Sequence, residues 1–447
     1  MKNKISVYFL LLVIGLLVAG GYVLYLLNER ELPSVTVNSE VDYLGLTGQV
    51  DFTVVDRESG VRAVQVFLQQ GDKSVELLNE TFARQGYFDK AGAHTLNRVV
   101  TIDTKSLGFK DGRADLVIEA IDFSFRNYMK GNRTVYNHPV MLDTVKPKVR
   151  VLDSPRYIRA GGSSIVLYEI DEPVVRHGVV INGHFYGGFP VSKKNSQLYG
   201  ALLSLKYTTR KITEMMVEAT DKAGNVGEMP FSMNLLPMRP RQDRIGVDDN
   251  FLDQKIPEFS HYYPDLPGQT KLQKYLYINR ELRQINNDKI REITSKVTPE
   301  KFWDGVFGRL PGSSKRAGYA DERTYYYHNA KVDHEVHLGI DLASVQRAPV
   351  PAANRGRIVF ADYNGIYGNL VIIDHGWGLF SIYSHLSQIN VKVGDMVDKG
   401  TVIALTGHTG MAGGDHLHFG MLVDGIFVNP LEWWDGSWLK LNILNYL

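Results

Sequence analysis

The chain has 447 residues, of which 44% are hydrophobic and 22% are charged, and at about 150 residues per domain this length predicts about three folded domains. Its 50 basic and 49 acidic side chains leave a net charge of +1, which argues against a nucleic-acid partner because such proteins usually carry a basic excess. The sequence has no cysteine, so disulfides and thiolate metal sites are excluded and any metal must be held by His, Asp or Glu.

The N-terminal segment is long and apolar enough to cross a membrane. Residues 6–27 are 22 residues without a charge, which as a helix span about 33 Å against a hydrocarbon core of about 30 Å. Lys2 and Lys4 precede them, so the positive-inside rule places the N-terminus in the cytoplasm. A cleaved signal peptide is the alternative, but its apolar core is normally about 7–15 residues long. We predict a cytoplasmic tip and transmembrane anchor at residues 1–30. The protein would then be a single-pass protein of the inner (cytoplasmic) membrane, with its bulk in the periplasm or outside the membrane.

Short strands with alternating hydrophobic residues follow the predicted anchor, and a weak internal repeat divides them in two. Ile118–Asp122 recurs as Val217–Asp221 about a hundred residues later, which is the usual size of one immunoglobulin-type sandwich. Ala219–Asn225 resembles the strand-and-turn ending of bacterial immunoglobulin-like (Ig-like) domains. We predict Ig-like domains at residues 33–145 and 146–237, acting as spacers or as docking modules for cell-envelope protein partners. An inert stalk is the alternative.

Residues 238–300 are predicted to be a linker and a helical region. Met238–Arg244 is polar and contains proline, which is typical of a linker. From Thr270 to Val297, Leu and Ile recur among charged residues, which predicts one or two amphipathic helices. We expect these helices to pack on the domain that follows rather than to bind a partner.

Residues 301–447 form a further run of strands. Three β-rich segments are separated by glycine turns, namely Arg357–Phe360, Leu370–Ile373 and Phe380–Tyr383, which predicts an antiparallel β domain. The chain as a whole is therefore predicted to be mainly β. It has an N-terminal transmembrane helix, two Ig-like β-sandwich domains, a short helical linker and this C-terminal β domain.

Two patterns in the C-terminal domain place metal-binding residue types close together. His416 and His418 alternate with apolar residues, so that in a strand both imidazoles share one face about 6.6 Å apart. They could reach one metal together, or one could bind the metal and the other its substrate. His337 and Asp341 would lie about 13 Å apart in a straight strand, so a common site requires a bend. Gly339 can take the bulged or positive-φ conformation that such a bend needs.

A catalytic zinc site needs more than its ligands. Such a zinc keeps three protein ligands and an open position for water, with a base that activates the water and a donor that stabilises the oxyanion. Two His and one Asp as ligands, with two further histidines, satisfy these roles. The segment Tyr383–Ser387 supplies the additional histidine, His385.

Residues 302–436 resemble the lysostaphin/LytM-type zinc endopeptidases, which cut peptidoglycan cross-links. The resemblance rests on motifs in one order: His337-x-Gly-x-Asp341, Ser-His385-Leu-Ser, Gly394-Asp-x-Val-x-Lys-Gly400, Thr406-Gly-His-Thr-Gly410, His416-x-His418 and Asn429-Pro430. It implies that His337, Asp341 and His418 are the ligands of one zinc ion per catalytic domain. It also implies that His385 and His416 are the catalytic pair that positions water and polarises the transition state.

Several residues near these motifs receive no catalytic role. Tyr325–Tyr327 lie farther upstream than the tyrosine that assists the oxyanion in some family members, so the oxyanion donor stays unassigned. His334 is expected to face solvent or to lie behind the ligands, and His375 to be a turn residue. His408 is expected either to touch substrate or to be structural. Trp433 is expected to pack against its own domain rather than to bind glycan.

The resemblance implies a membrane-anchored zinc endopeptidase that hydrolyses peptide bonds in peptidoglycan cross-links or stem peptides. Its partners would be peptidoglycan and, through the N-terminal helix, the inner membrane. One alternative is a module that activates other wall hydrolases, as family members without ligands do. The other is a structural wall tether in which the Ig-like region matters most and the predicted site has no activity.

Overall fold

The computed structural model describes residues 2–192 and 194–447. Its description of side chains covers all of these except residues 2–6 and 88. Met1, in the predicted cytoplasmic tip, and Lys193, in the second predicted Ig-like domain, lie outside the described residues. The chain is mainly β, with 42% strand and 19% helix. It divides into two compact units, one of residues 1–147 and 220–226 and one of residues 148–219 and 227–447. The prediction of a mainly β chain is confirmed.

The first unit begins with helix α1 (Lys2–Leu27). Residues 7–27 of this helix are long and apolar enough to cross a membrane by length and composition. Their side chains are mostly exposed, as expected of a helix whose surface is apolar all round and which has no protein to pack against. The helix is therefore compatible with membrane anchoring. A signal sequence near the N-terminus would pass the same test of length and composition.

Eight strands and a short helical turn follow α1. They are β1 (Ser34–Val37), β2 (Tyr43–Leu44), β3 (Thr47–Val55), β4 (Val61–Gln70), β5 (Lys73–Thr81), β6 (Thr95–Asp103), β7 (Gly112–Asp122), α2 (Arg126–Met129) and β8 (Arg133–Leu142). A three-stranded sheet has the order β1-β3-β6 and a five-stranded sheet the order β2-β8-β7-β4-β5. Leu116, Ile118 and Ala120 are all buried in one core with residues of β3 and β6, so the predicted alternation of β7 is present.

The second unit starts with ten more strands. They are β9 (Val149–Asp153), β10 (Tyr157–Arg159), β11 (Ser163–Ile170), β12 (Arg176–Ile181), β13 (His184–Gly187), β14 (Phe189–Pro190), β15 (Leu198–Ser204), β16 (Met215–Thr220), β17 (Val226–Pro230) and β18 (Asn234–Leu236). Two four-stranded sheets have the orders β14-β15-β11-β9 and β13-β12-β16-β17. Apolar residues of both sheets, among them Tyr168 and Val217, share one buried cluster.

The segment predicted to be a linker contributes a strand instead. Strand β19 (Gln242–Val247) pairs in parallel with β21 (Glu322–Tyr327). The prediction of a linker at Met238–Arg244 is therefore wrong for its last three residues. The partner strand lies 80 residues later, and the local signal is weak because β19 is short and only Ile245 and Val247 alternate as apolar residues.

Three helices follow β19 and pack on the C-terminal domain. They are α3 (Asp249–Tyr262), α4 (Lys271–Tyr277) and α5 (Arg283–Thr294). Helices α4 and α5 confirm the prediction for Thr270–Val297, and Thr270 begins α4 with a capping box. Helix α3 was not predicted. Its N-cap residue Asp248 accepts a hydrogen bond from the amide of Phe251, but Pro257 inside the helix masks the helical pattern.

The C-terminal domain is built on a largely antiparallel sheet. Its strands are β20 (Ser314–Ala317), β21, β22 (Ala330–Val336), β23 (Ile340–Ala343), β24 (Pro349–Pro351), β25 (Gly356–Tyr363), β26 (Asn369–Asp374), β27 (Leu379–Leu386), β28 (Gln388–Ile389), β29 (Met396–Val397), β30 (Val402–Leu405), β31 (Leu417–Val423) and β32 (Ile426–Val428). The main sheet runs in the order β20-β23-β31-β27-β26-β25-β29, with β32 beside β31. The predicted strands lie in β25, β26 and β27.

Two short helices close the chain, α6 (Pro430–Trp434) and α7 (Gly436–Asn442). Trp433 of α6 is fully buried and lies edge-on to Trp303 at a ring-centroid distance of 5.7 Å. Its indole nitrogen donates a hydrogen bond to Ser163 Oγ, and Glu432 accepts one from the amide of Ser163. The expectation that Trp433 packs against its domain is confirmed, and strands β9–β18 share the compact unit with the C-terminal domain.

Candidate metal centre

Two strands and one bend bring three predicted metal ligands together. Strand β22 ends at Val336, and β23 begins at Ile340, so the chain bends between His337 and Asp341. Strand β23 pairs antiparallel with β31 in a register that places Asp341 directly opposite His418. The sheet register therefore delivers the third side chain to the same point.

The three side chains meet within hydrogen-bond distance of one another. His337 Nε2 lies 2.9 Å from Asp341 Oδ1 and 2.8 Å from His418 Nδ1. His418 Nδ1 lies 3.0 Å from Asp341 Oδ1. All three residues are buried. Three donor atoms at these separations can all contact a single zinc ion, whose nitrogen and oxygen ligands lie about 2.0–2.2 Å from the metal.

The surroundings of the cluster fit a divalent metal ion. His337 Nδ1 lies 2.7 Å from the carbonyl oxygen of Gly318. Because a carbonyl only accepts, Nδ1 carries the proton and Nε2 offers its lone pair to the cluster. Burial acts to raise the pKa of Asp341, but its interactions with His337, His416 and His418 outweigh burial and hold that pKa well below its usual range. The carboxylate is therefore ionised, as a metal ligand must be.

Arg323 holds the other oxygen of the Asp341 carboxylate. Its Nη2 donates a hydrogen bond to Asp341 Oδ2 at 2.9 Å, and its side chain is only 21% exposed. This contact leaves Oδ1 free to face the cluster. The sequence analysis missed Arg323 because its strand, β21, lies outside the motifs. The only hint is that Arg323 stands two residues before the buried Tyr325 and therefore shares its face of the strand.

Gly339 is needed for space rather than for an unusual backbone angle. A Cβ at this position would lie 2.5 Å from His418 Nε2 and 2.7 Å from the carbonyl oxygen of Phe419. Its φ lies outside the positive range that favours glycine, so the positive-φ alternative of the sequence analysis does not apply. The ring of His418 packs directly on the bend.

Substituting Gly339 by alanine is expected to displace the His418 ring. We expect Gly339→Ala to lower the free energy of unfolding by about 1–3 kcal/mol and the zinc affinity by at least about tenfold. Chemical denaturation and a zinc competition titration measure the two effects. Gly413→Ala is the matched control, because a Cβ there meets no atom within 4 Å. An unchanged zinc affinity in Gly339→Ala would contradict this account of the bend.

His385 and His416 lie beside the cluster, each fixed by one backbone carbonyl. His385 Nδ1 lies 2.8 Å from the carbonyl oxygen of Thr409, and His416 Nδ1 lies 2.8 Å from that of Gly414. Each ring thus keeps Nε2 for other contacts, and His416 Nε2 lies 3.5 Å from Asp341 Oδ1. The two ring centroids are 4.9 Å apart, close enough for both rings to address one substrate group.

The two histidines differ in the direction of their pKa shifts and in backbone conformation. Burial lowers the pKa of His385 well below its usual range. Burial also acts to lower the pKa of His416, but its hydrogen bond and attraction to Asp341 raise that pKa overall. His385 has a φ of 63°, in the left-handed region that non-glycine residues rarely adopt and that is enriched at functional sites.

A cavity of about 530 Å³ opens onto the five predicted site residues. Its walls come from the main sheet and from the helices that follow β19. These further lining residues include Tyr207, Phe251, Tyr275, Arg283, Asn287, Arg323, Tyr325, Tyr367 and Met411. Helices α3, α4 and α5 thus form part of the cleft wall, in agreement with the expectation that the helices at Thr270–Val297, now α4 and α5, pack on the C-terminal domain.

The other histidines of the domain lie outside the cluster. The side chain of His334 is 43% exposed, as expected. His375 is fully buried between the carbonyl of Arg355 and Ser381 Oγ, and burial lowers its pKa to about 4. His375 was expected to be a turn residue, and the structure places its side chain in the core instead. His408 is exposed in the turn before Thr409.

Comparisons with known proteins identify this domain. Residues 335–430 match the model of Peptidase family M23. The DD-carboxypeptidase/endopeptidase Mpg of Neisseria meningitidis is 41% identical over 97 residues, 22% of this chain and 22% of that protein. Peptidoglycan DD-endopeptidase ShyA of Vibrio cholerae is 38% identical over 96 residues, again 22% of each chain. The catalytic domain of the antimicrobial peptidase lysostaphin from Staphylococcus simulans is 31% identical, with 28% of this chain and 94% of that chain covered and a TM-score of 0.25.

The family match covers the region of the candidate metal centre. The chain spans about a fifth of the length of the curated relatives that it matches. All five predicted site residues lie between residues 335 and 430. The chain therefore carries a peptidase family M23 domain at residues 335–430.

Proposed function

We propose that the protein is a membrane-anchored zinc endopeptidase that hydrolyses peptide bonds in peptidoglycan cross-links or stem peptides during cell-wall remodelling. The observation that carries the proposal is the convergence of His337 Nε2, Asp341 Oδ1 and His418 Nδ1 within 3.0 Å of one another. These atoms share one cavity with His385 and His416.

His337, Asp341 and His418 would hold one zinc ion. Zinc bound there supplies a Lewis acid that lowers the pKa of a coordinated water to about 7. The chain contributes orientation and proton transfer. The carbonyl of Gly414 fixes the His416 ring so that Nε2 can take a proton from the attacking water.

His385 is suited to a different task. The carbonyl of Thr409 fixes its ring by accepting a hydrogen bond from Nδ1, and because burial holds its pKa low, Nε2 keeps a lone pair that can accept a hydrogen bond from the attacking water and orient it. Within the catalytic pair implied by the sequence, His416 would therefore be the base and His385 the residue that positions water, and the donor that polarises the transition state stays unassigned. Arg323 would keep Asp341 in the orientation that presents Oδ1 to the metal.

The named relatives support a narrower substrate class. Both are endopeptidases designated DD, and one is designated a peptidoglycan enzyme. We therefore propose that the bond cut lies between two D-configured centres of the peptide cross-link. A cavity with mixed aromatic and basic walls suits a peptide that carries both apolar and carboxylate groups.

The rest of the chain would place the enzyme in the cell envelope. Helix α1 is long enough to anchor it in the inner membrane, with the units after it on the outer side. The two-sheet arrangements within residues 33–145 and 146–237 support β-sandwiches of Ig-like type, which would act as spacers or bind envelope proteins. We retain residues 238–300 as the helical region and 301–447 as the catalytic domain.

Purified sacculi test the proposal against its two alternatives. The full chain, purified in detergent micelles, is incubated with sacculi before and after metal removal and after zinc is restored. Mass spectrometry of the released muropeptides identifies the bond that is cut. We expect cross-links to be cleaved with zinc, no cleavage after chelation, and recovery when zinc is added back. Intact cross-links under every metal condition would favour an activator or a wall tether.

A further inference from the structure

Three buried carboxylates lie together at the start of the first unit, far in sequence from the M23 domain. Glu29, Asp56 and Asp122 are 7%, 2% and 0% exposed, and one oxygen of each lies within 4.8 Å of the others. Glu29 follows α1 by two residues, Asp56 follows strand β3, and Asp122 ends strand β7. Because β3 and β7 belong to different sheets, the cluster joins both sheets to the segment that leaves the apolar helix.

One carboxylate oxygen of this cluster has no partner. Asp56 Oδ1 accepts a hydrogen bond from the amide of Gly60 at 2.6 Å, whereas Oδ2 is buried and accepts none from the described residues. Glu29 Oε1 accepts a hydrogen bond from Ser59 Oγ. No Lys or Arg in the described part of the chain forms an ion pair with any of the three carboxylates. The cluster therefore has no Lys or Arg of the described chain as a counter-charge, and His94 contributes a favourable charge interaction to Asp56 alone.

Buried like charges of this kind require compensation. Three carboxylates at such distances cannot all be ionised without a neutralising charge, and a buried oxygen without a hydrogen bond is costly as well. Burial raises the pKa of Glu29 to about 8, so without a cation this group would carry a proton at neutral pH. A bound cation would neutralise the carboxylates and also use Asp56 Oδ2.

Asn132 fixes the geometry of the cluster, and the same construction occurs a second time in the unit. Asn132 Nδ2 donates to Asp122 Oδ2 and also to the carbonyl of Glu29. In the same way, Asn225 Nδ2 donates to Asp221 Oδ2 and to the carbonyl of Asp143. The repeat between Ile118–Asp122 and Val217–Asp221 therefore extends to an asparagine in each copy. Its side-chain amide donates hydrogen bonds to the aspartate that ends the repeat and to the backbone carbonyl of a second acidic residue.

We propose that Glu29, Asp56 and Asp122 bind a calcium ion that ties the segment after α1 to both sheets of the first unit. All the side-chain donors are oxygens, which Ca²⁺ prefers, and Ca²⁺ binds them at about 2.3–2.6 Å. Two oxygen ligands on opposite sides of one Ca²⁺ ion are then up to about 5 Å apart. One oxygen of each of the three carboxylates lies within 4.8 Å of the others, which satisfies this condition. Mg²⁺ demands near-ideal octahedral geometry and gives up its waters reluctantly, so it is less suited to a buried site made of protein carboxylates.

Calorimetric titration tests the site directly. The full chain in detergent micelles is freed of metal, loaded with one equivalent of zinc, and titrated with CaCl₂ or MgCl₂. We expect the unchanged protein to bind Ca²⁺, and the Asp56→Asn variant to bind one equivalent of Ca²⁺ fewer. Asp72→Asn, which alters an exposed turn carboxylate, is the matched control and should keep every equivalent. Glu29→Gln provides a second test should Asp56→Asn disturb the Gly60 turn.

Three results would overturn the proposal. They are no Ca²⁺ binding by the unchanged protein, an undiminished stoichiometry in both site variants, and a preference for Mg²⁺. Because the titration does not use hydrolysis, its outcome is independent of the proposed peptidase activity.

Limited proteolysis locates the same ion. Arg30 is exposed next to the buried Glu29, so trypsin can cut between Arg30 and Glu31 when this segment opens. We expect Ca²⁺ to slow the appearance of the fragment that begins at Glu31 by at least about tenfold, a factor set by the fall in open population. The protection should be absent in Asp56→Asn and present in Asp72→Asn. Equal cleavage rates with and without Ca²⁺ in the unchanged protein would contradict the proposal.

Discussion

Replacing His337 by alanine is expected to remove the metal and, with it, the hydrolysis of peptidoglycan. His337 Nε2 is the atom that contacts both other donors of the cluster, so its loss leaves only two protein ligands. A catalytic zinc site needs three, and without the metal the attacking water has no means to ionise near neutral pH. We expect the bound zinc to fall from one equivalent to a small fraction, and cleavage to fall by at least about 10³-fold. Elemental analysis and muropeptide mass spectrometry measure these quantities.

His334→Ala is the matched control for this change. It removes the same side chain three residues earlier in the sequence, from an exposed position outside the cluster. Zinc content and cleavage should both stay within about twofold of the unchanged protein, as for most surface substitutions. Equal losses in the two variants, or a fully active His337→Ala, would contradict the assignment of His337 as a ligand.

Replacing His416 by alanine is expected to separate catalysis from metal binding. His416 Nε2 lies 3.5 Å from Asp341 Oδ1, and His416 Nδ1 is held by the carbonyl of Gly414. Its removal takes away the proposed base but leaves His337, Asp341 and His418 in place. Loss of a general base typically costs about 10²–10⁴-fold in rate. We therefore expect kcat to fall by this factor while the zinc content stays at one equivalent.

The exposed His408 provides the control for His416. Both histidines lie in loops beside the cleft, but the described contacts of His408 include none to the metal cluster, and its backbone carbonyl accepts a hydrogen bond from Lys255. Cleavage by His408→Ala should change by less than about threefold, since the backbone contact is kept. A His416→Ala variant that keeps full kcat, or that loses its zinc, would show that His416 is not a separate base.

The local patterns of the sequence, together with the family resemblance, were sufficient to name the residues of the candidate site. The two-residue spacing of His416 and His418 predicts a shared strand face, and β31 carries His418 opposite Asp341. The break between His337 and Asp341 follows from the distance that a straight strand would impose. The spacing and the break were predictable because each depends on neighbours a few residues away, whereas the pairing of Asp341 with His418 joins distant strands.

The features that the sequence did not show depend on distant contacts. Strand β19 pairs with a strand 80 residues later, and its apolar alternation is limited to Ile245 and Val247. Arg323 becomes relevant only because β21 lies where its side chain meets Asp341. Gly339 was recognised, but for its backbone freedom, whereas the packing of the His418 ring against it is a tertiary contact.

Anomalous diffraction at the zinc absorption edge, from crystals of the full chain grown with zinc, tests the central claim most directly. We predict one strong peak in the catalytic domain, bonded at about 2.0–2.2 Å to His337 Nε2, Asp341 Oδ1 and His418 Nδ1. A map without a peak at these three atoms, or with the zinc held by other residues of the domain, would contradict the account.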